Sequence, residues 1–158
     1  MLVPAVEPFT LVPIATVVGG RVDAQDDEWL GVEADVVLDE RFPVDSLRGL
    51  DAFSHVDVVY VFHLVGDDDI TTGARHPRGR QDLPAVGIFA QRARMRPNRI
   101  GVGTCELLGI EGRTLHVRGL DAVDSTPVLD IKPTMASMRP PGHVREPAWV
   151  QEIMRAYW

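Results

Sequence analysis

Residues 86–133 read VGIFAQRARMRPNRIGVGTCELLGIEGRTLHVRGLDAVDSTPVLDIKP. Apolar alternation at Val86, Ile88 and Ala90 predicts a first strand. Arg92 to Arg99 is a charged connector punctuated by Pro97-Asn98, because proline biases its predecessor away from helix. Val102 to Ile110 is a second apolar run. Glu111-Gly112 reads as a hairpin turn, with Thr114 to Val117 returning. Asp124-Ser125-Thr126-Pro127 makes another turn before a last strand, Val128 to Ile131. A merely solvated surface needs neither the four arginines of the connector nor the close grouping of Asp121, Asp124 and Asp130.

Working outward, Val56 to Val65 is the most strand-like run, rich in β-branched and aromatic residues, and belongs at the centre of a sheet. Leu11 to Val18 and the alternating Val32, Ala34, Val36 and Leu38 predict two further strands. Pro43 to Leu50 predicts a short helix, with Pro43 at its first turn and Gly49 near its end. Residues 66–84 form a long polar loop of the kind that is usually functional or mobile. Residues 1–10 read as a loose arm. Trp149, Val150, Ile153, Met154 and Tyr157 recur at helical spacing after Pro147, so Pro147 to Tyr157 predicts a terminal helix. Short strands joined by turns point to a mainly β fold: a small barrel of mostly antiparallel strands in a single domain, 1–158, with a C-terminal helix.

The chain has 158 residues, enough for a real core. No run approaches the ~18 apolar residues of a membrane span. The start lacks a basic region and a long apolar stretch, and Cys105 is the only cysteine. Together these predict a cytoplasmic protein. The net charge of −7 argues against coating nucleic acid by bulk charge. Yet residues 23–69 are rich in Asp and Glu, while residues 75–99 carry seven arginines against Asp82 alone. Such a patch suits either docking of one RNA loop or pairing with the acidic half of the chain. The histidines show no metal-ligand spacing, so no metal is expected. No G-x-G-x-x-G follows a strand, and Gly101-Val102-Gly103 is too weak to imply a nucleotide. Cys105 reads as a buried small hydrophobe.

Five blocks carry a family resemblance: Leu47 to His63 (LRGLDAFSHVDVVYVFH), Gly87 to Arg92 (GIFAQR), Arg96 to Val102 (RPNRIGV), Glu106 to Gly112 (ELLGIEG) and Gly119 to Pro133 (GLDAVDSTPVLDIKP). In this order, over residues 11–135, they resemble the TrmO (TsaA-like) family. Its members are S-adenosylmethionine-dependent methyltransferases that modify threonylcarbamoyladenosine in tRNA at N6. The resemblance implies a compact β-barrel, usually a homodimer, with S-adenosylmethionine as cofactor. The acceptor it implies is tRNA. A small-molecule acceptor on the same fold, or a barrel that binds ligand or RNA without turnover, are the alternatives.

The resemblance also implies the site. His63, Leu64, Arg92, Val102, Asp121, Ala122, Val123 and Asp124 match positions around the cofactor. Arg92 is placed to hold the methionine carboxylate through a bidentate fork. Arg96 and Asn98 match the RPN motif. Together with Arg78 of the basic loop, and Asp130 and Lys132 of VLDIKP, they are candidates for contacting the acceptor. The chain departs from the family after its first strand, where Gly19-Gly20-Arg21 and an acidic loop replace the RSP and PRQ motifs. Another backbone must fill that role. No residue is assigned here as general base.

Overall fold

The computed structural model describes residues 7–158. Six antiparallel strands close a barrel in the order β1 (Ala15–Val18), β2 (Glu33–Leu38), β7 (Thr114–Arg118), β6 (Ile100–Glu111), β3 (His55–Val61) and β8 (Pro127–Pro133), with β8 returning to β1. A separate two-stranded ribbon pairs β4 (Ala74–Arg75) with β5 (Val86–Gly87). One α-helix, α1 (Ala148–Ile153), follows near the C-terminus. Among the described residues no helix is long and apolar enough to cross a membrane.

Alternation fills the barrel. Val17, Val36, Val56, Val58, Leu115, Val117 and Val128 point inward and are fully buried. β-branched side chains are stiff and pack well on pleated strands, and a barrel this narrow has room for little else. β3 is central, as its sequence predicts. It pairs with β6 from His55↔Glu106 to Val61↔Ile100 and with β8 on its other side. The long β6 can serve both β3 and β7 because a register shift between Leu107 and Gly109 bends it. The Glu111-Gly112 turn is where it was expected, with Gly112 at φ 57°.

Several expected elements differ. Val86 to Ala90 is a strand for two residues only and then a 3-10 turn over Ile88–Ala90, because the Ile88 N–H bonds to the Gly73 carbonyl and Gln91 N–H turns back to Ile88. Of Leu11 to Val18 only Ala15–Val18 is strand, because the chain bends at Ile14. The Val56 to Val65 run pairs one residue earlier and stops at Val61, where the Phe62 N–H crosses to Arg99. The helix expected at Pro43 to Leu50 is two 3-10 turns, Val44–Leu47 and Leu50–Ala52, divided by Gly49 at φ 83°. The terminal helix is shorter than its apolar stripe, ending in turns from Met154 onward. Of the expected N-terminal arm, residues 1–6 lie outside the described residues.

The strand directions have one consequence for function. β1, β3 and β7 end, and β2, β6 and β8 begin, at the same end of the barrel. The connections after Val18, Val61 and Arg118 therefore converge there, with the segment leading into Ile100.

Candidate active site

At that end lies a cavity of about 450 Å³, with walls more apolar than polar. The loop after β1 supplies Ala24, Gln25, Asp26 and Trp29. The end of β3 supplies Tyr60, Phe62, His63 and Leu64. The loop before β8 supplies Asp121, Ala122, Val123 and Thr126, and α1 with its tail supplies Trp149, Val150, Ile153, Met154 and Tyr157. The start of β6 supplies Ile100, Gly101 and Val102, and the remaining wall is the segment 90–96 with Val65, Arg75, Pro77 and Arg78. That wall is held by Gln91, a buried amide whose Nε2 donates to the carbonyls of Arg75 (3.0 Å) and Val86 (2.9 Å). The Thr71 N–H bonds to the Met95 carbonyl at 2.9 Å.

The polar centre of the cavity is Asp121. Tyr60, buried in the inward row of β3, donates its hydroxyl to Asp121 Oδ1 and lies 3.0 Å from the Asp121 carbonyl. Tyr157 donates its hydroxyl to Asp121 Oδ2. Burial pushes the Asp121 carboxyl above its ordinary range, against the hydroxyls of Tyr157 and Tyr60 and the Arg92 guanidinium, all of which favour the anion. Burial first, and the Asp121 charge second, raise both phenols above their ordinary value, so they remain donors. The Gly101-Val102-Gly103 stretch has its explanation here. A Cβ on Gly101 would sit 2.5 Å from Tyr60 Cε2, and one on Gly103 would sit 3.3 Å from Asp121 Oδ1. These glycines make space for the Tyr60 ring to lie across β6 and reach Asp121, and have no part in a phosphate loop.

The predicted residues divide. His63, Leu64, Arg92, Val102, Asp121, Ala122, Val123, Arg78 and Arg96 line the cavity. The hydroxyl of buried Thr126 lies 3.3 Å from His63 Nδ1. Arg92 is exposed, and its guanidinium donates to the Val102 carbonyl. Asp124, Asn98, Asp130 and Lys132 are not in the lining. Asp124 accepts from the Gly19 N–H at 2.7 Å and from the Ser125 hydroxyl, and the first of these chiefly holds its carboxyl below the ordinary range. Asn98 takes the left-handed position of a turn at φ 64°. Asp130 and Lys132 pair with each other on the outside of β8.

Four of the seven arginines meet carboxylates. Arg78 forks onto Asp27 at 2.7 and 2.8 Å, Arg94 approaches Asp26 at 3.5 Å and Arg99 approaches Asp67 at 3.1 Å. Arg80 bonds both Asp82 and Glu152. Arg75, Arg92 and Arg96 line the cavity without a carboxylate partner within 4 Å among the described residues. The loop in place of PRQ is tied by Arg21, which donates to the carbonyls of Asp27 and Glu28 at 2.6 Å and covers the Trp29 ring at 4.7 Å.

Tyr60, Gln91, Arg75, Trp29 and Tyr157 were not singled out as site residues from sequence. The signal for Tyr60 was available: a tyrosine at an inward position, after Val56 and Val58, needs a buried partner for its hydroxyl. Cys105 is not in the cavity lining. It is buried in β6 with its thiol 3.8 Å from the Val56 carbonyl, and desolvation with the charges of Asp57 and Asp121 pushes it up to about 12. It is a poor nucleophile.

The chain has known relatives. The profile of the tRNA-methyltransferase O N-terminal domain family matches residues 23–138. A human protein named tRNA (adenine(37)-N6)-methyltransferase is 39% identical over 105 residues, which is 66% of this chain and 23% of that protein. A protein of Escherichia coli K12 with the same name is 40% identical over 93 residues, 56% of this chain and 39% of that protein. An archaeal protein of Methanothermobacter thermautotrophicus, named "Probable S-adenosyl-L-methionine-binding protein", is 42% identical over 57% of this chain and 61% of its own. The crystal structure of TrmO from Pseudomonas aeruginosa superposes with a TM-score of 0.74 at 26% identity, covering 92% of this chain and 63% of that one. The chain thus spans between about a quarter and two thirds of the length of these relatives. With the profile matching well over half of its residues, the chain belongs to the tRNA-methyltransferase O N-terminal domain family.

Proposed function

We propose that the protein is an S-adenosylmethionine-dependent methyltransferase that transfers a methyl group to N6 of a tRNA adenosine carrying a threonylcarbamoyl group. The observation that carries this reading is the convergence of the family blocks on one cavity. His63, Arg92, Val102 and the Asp121 loop come from four separate stretches and meet at one end of the barrel. The relatives' names supply the chemistry.

The cavity fits the cofactor in volume and in donor set. About 450 Å³ with apolar walls accommodates a nucleoside-sized ligand. Asp121 would hold its ribose hydroxyls or amino group as a hydrogen-bond acceptor, and Arg92 would hold its carboxylate through a planar fork. When bound, S-adenosylmethionine supplies an electrophilic methyl group on a sulfonium. The chain's own residues then orient the partners. Gln91 fixes the wall that carries Arg92, Tyr60 and Tyr157 fix Asp121, and Phe62 meets the Tyr60 ring edge to face. Such catalysis rests mainly on positioning. Arg75 and Arg96, lacking acidic partners, are the groups for the acceptor's carboxylate or phosphates.

We further place the protein in the cytoplasm, in keeping with its single buried thiol, and read it as a homodimer. Leu64 (62% exposed) and Val102 (45%) at the cavity rim are apolar and uncovered, as is Phe89 (77%) nearby in sequence. A twofold partner would cover them and leave a cleft for a large acceptor. Sedimentation checks this, and a monomer at micromolar concentration that still binds cofactor would contradict it. The test of the activity is transfer of tritium from methyl-labelled cofactor to tRNA. Label on threonylcarbamoyl-modified tRNA, and none on tRNA lacking that group, is expected. Label only in the small-metabolite pool would instead favour a small acceptor.

A further inference from the structure

Tyr157 lies beyond the family-matched residues 23–138, yet its hydroxyl reaches the half-buried carboxylate at the centre of the cavity. This placement is not a chance contact of a loose end. The Glu28 and Trp29 N–H groups donate to the carbonyls of Ala156 and Tyr157, both at 2.9 Å, so the tail is pinned as a short backbone pair. Glu152 bonds to Arg80 from the helix that precedes it. Trp149, Val150, Ile153 and Met154 turn the apolar stripe of this segment onto the cavity. The Tyr157 and Trp158 rings meet edge to face at 4.9 Å, and Trp158 lies 3.6 Å from the Cβ position of Gly119. The loop on which the tail is pinned is the one that departs from the family pattern.

Resting on the reading of the cavity as a cofactor site, we propose that the C-terminal segment completes that site, and that Tyr157 is a positioning residue that holds the Asp121 carboxylate as an ionised acceptor for the ligand. The two phenols divide the work. Tyr60 takes Oδ1 from the barrel side and Tyr157 takes Oδ2 from the tail side. Each carboxylate oxygen keeps a lone pair, so Asp121 still accepts from a ligand. The charged and titratable groups facing Asp121 are Tyr60 on β3, Tyr157 on the tail and Arg92 on the segment after β5. Cys105 lies on β6, and Arg78 stands beyond Tyr157. Of these, Tyr157, Tyr60 and Arg92 favour the anion against burial, and Tyr157 is the one the family core does not supply.

The test is Tyr157→Phe, which keeps the ring and its packing and deletes only the hydroxyl. Two measurements are made on parent and variant. The Asp121 carboxyl is titrated by carbon NMR in the ligand-free protein, and S-adenosylmethionine binding is measured by calorimetry from acid to neutral pH. Losing a donor to the anion must move the Asp121 midpoint upward. The acid limb of the binding profile should move to higher pH with it, and affinity at neutral pH should fall about three- to tenfold. Tyr60→Phe should act in the same direction. An unmoved Asp121 midpoint with parental affinity overturns the proposal. A lowered thermal midpoint with parental affinity also overturns it, by making Tyr157 structural only. A parent that binds no S-adenosylmethionine overturns the proposed function and this inference together. A parent that binds while Tyr157→Phe binds equally well overturns the inference alone.

Discussion

At the residue scale, Arg92 and Asp121 have opposite relations to solvent, and their variants should behave oppositely. Arg92 is exposed and donates to the Val102 carbonyl. Arg92→Ala should leave the thermal midpoint close to parental while weakening cofactor binding about tenfold. That is the lower end expected for a charge-assisted contact, because water screens it. Arg92→Lys should recover only part, lacking the planar fork. Calorimetry with S-adenosylmethionine, alongside thermal melts, checks both. Asp121 is half-buried, with its carboxyl raised above the ordinary range chiefly by desolvation. A carboxyl raised on folding adds stability below its unfolded pKa and loses it as pH rises through the folded value. At neutral pH the anion is therefore a cost, tolerated for function. Asp121→Asn should raise the thermal midpoint at pH 7, lose that advantage in acid, and bind cofactor poorly. Melts at pH 4 and pH 7 decide it, and a variant less stable at both would contradict the account.

At the element scale, β6 couples fold to site. Gly101 pairs with Tyr60 across the β3–β6 ladder, and an added methyl would stand 2.5 Å from the ring. Gly101→Ala should cost on the order of 1–3 kcal/mol through overpacking, read from denaturant unfolding. It should also weaken cofactor binding by tilting Tyr60 off Asp121. A variant as stable as the parent would mean the ring has another seat. The same elements show what was legible in sequence. β2 was readable because one wet face forces alternation, β3 from its β-branched and aromatic run, β6 as an apolar run, and β7 as the strand returning from the Glu111-Gly112 turn. The strand expected at Val86 to Ala90 was not, since its backbone partners are Gly73 and Gln91, whose approach no local pattern encodes. The apolar stripe of α1 was legible as well, but the surface it covers was not. A stripe says that a face is buried and leaves open what buries it. The resemblance marked the cofactor loop as Asp121 to Asp124, whereas the structure separates its ends: Asp121 enters the cavity, and Asp124 turns outward to hold Gly19.

At the scale of the whole molecule, the charge asymmetry is largely satisfied within the chain. Arg78, Arg80, Arg94 and Arg99 bond to acidic side chains, which leaves Arg75, Arg92 and Arg96 around the cavity. With Arg92 engaged by the cofactor, Arg75 and Arg96 remain at the cavity, and a protein of net charge −7 should contact about two phosphates there. The slope of log affinity for tRNA against log salt should then be about −1 to −2, far from the value near −6 that seven free arginines would give. Filter binding between 50 and 200 mM salt, as an order-of-magnitude range for such slopes, measures it. Barrel, cavity and arginines together rest on one claim, that the cavity at the open end of the barrel is the S-adenosylmethionine site. The most direct test is calorimetric titration of the purified parent protein with S-adenosylmethionine, repeated on Arg92→Ala. Saturable binding by the parent, weakened about tenfold in the variant, is the predicted result. A well-folded parent that takes up no cofactor, or an Arg92→Ala variant that binds as tightly as the parent, would contradict it.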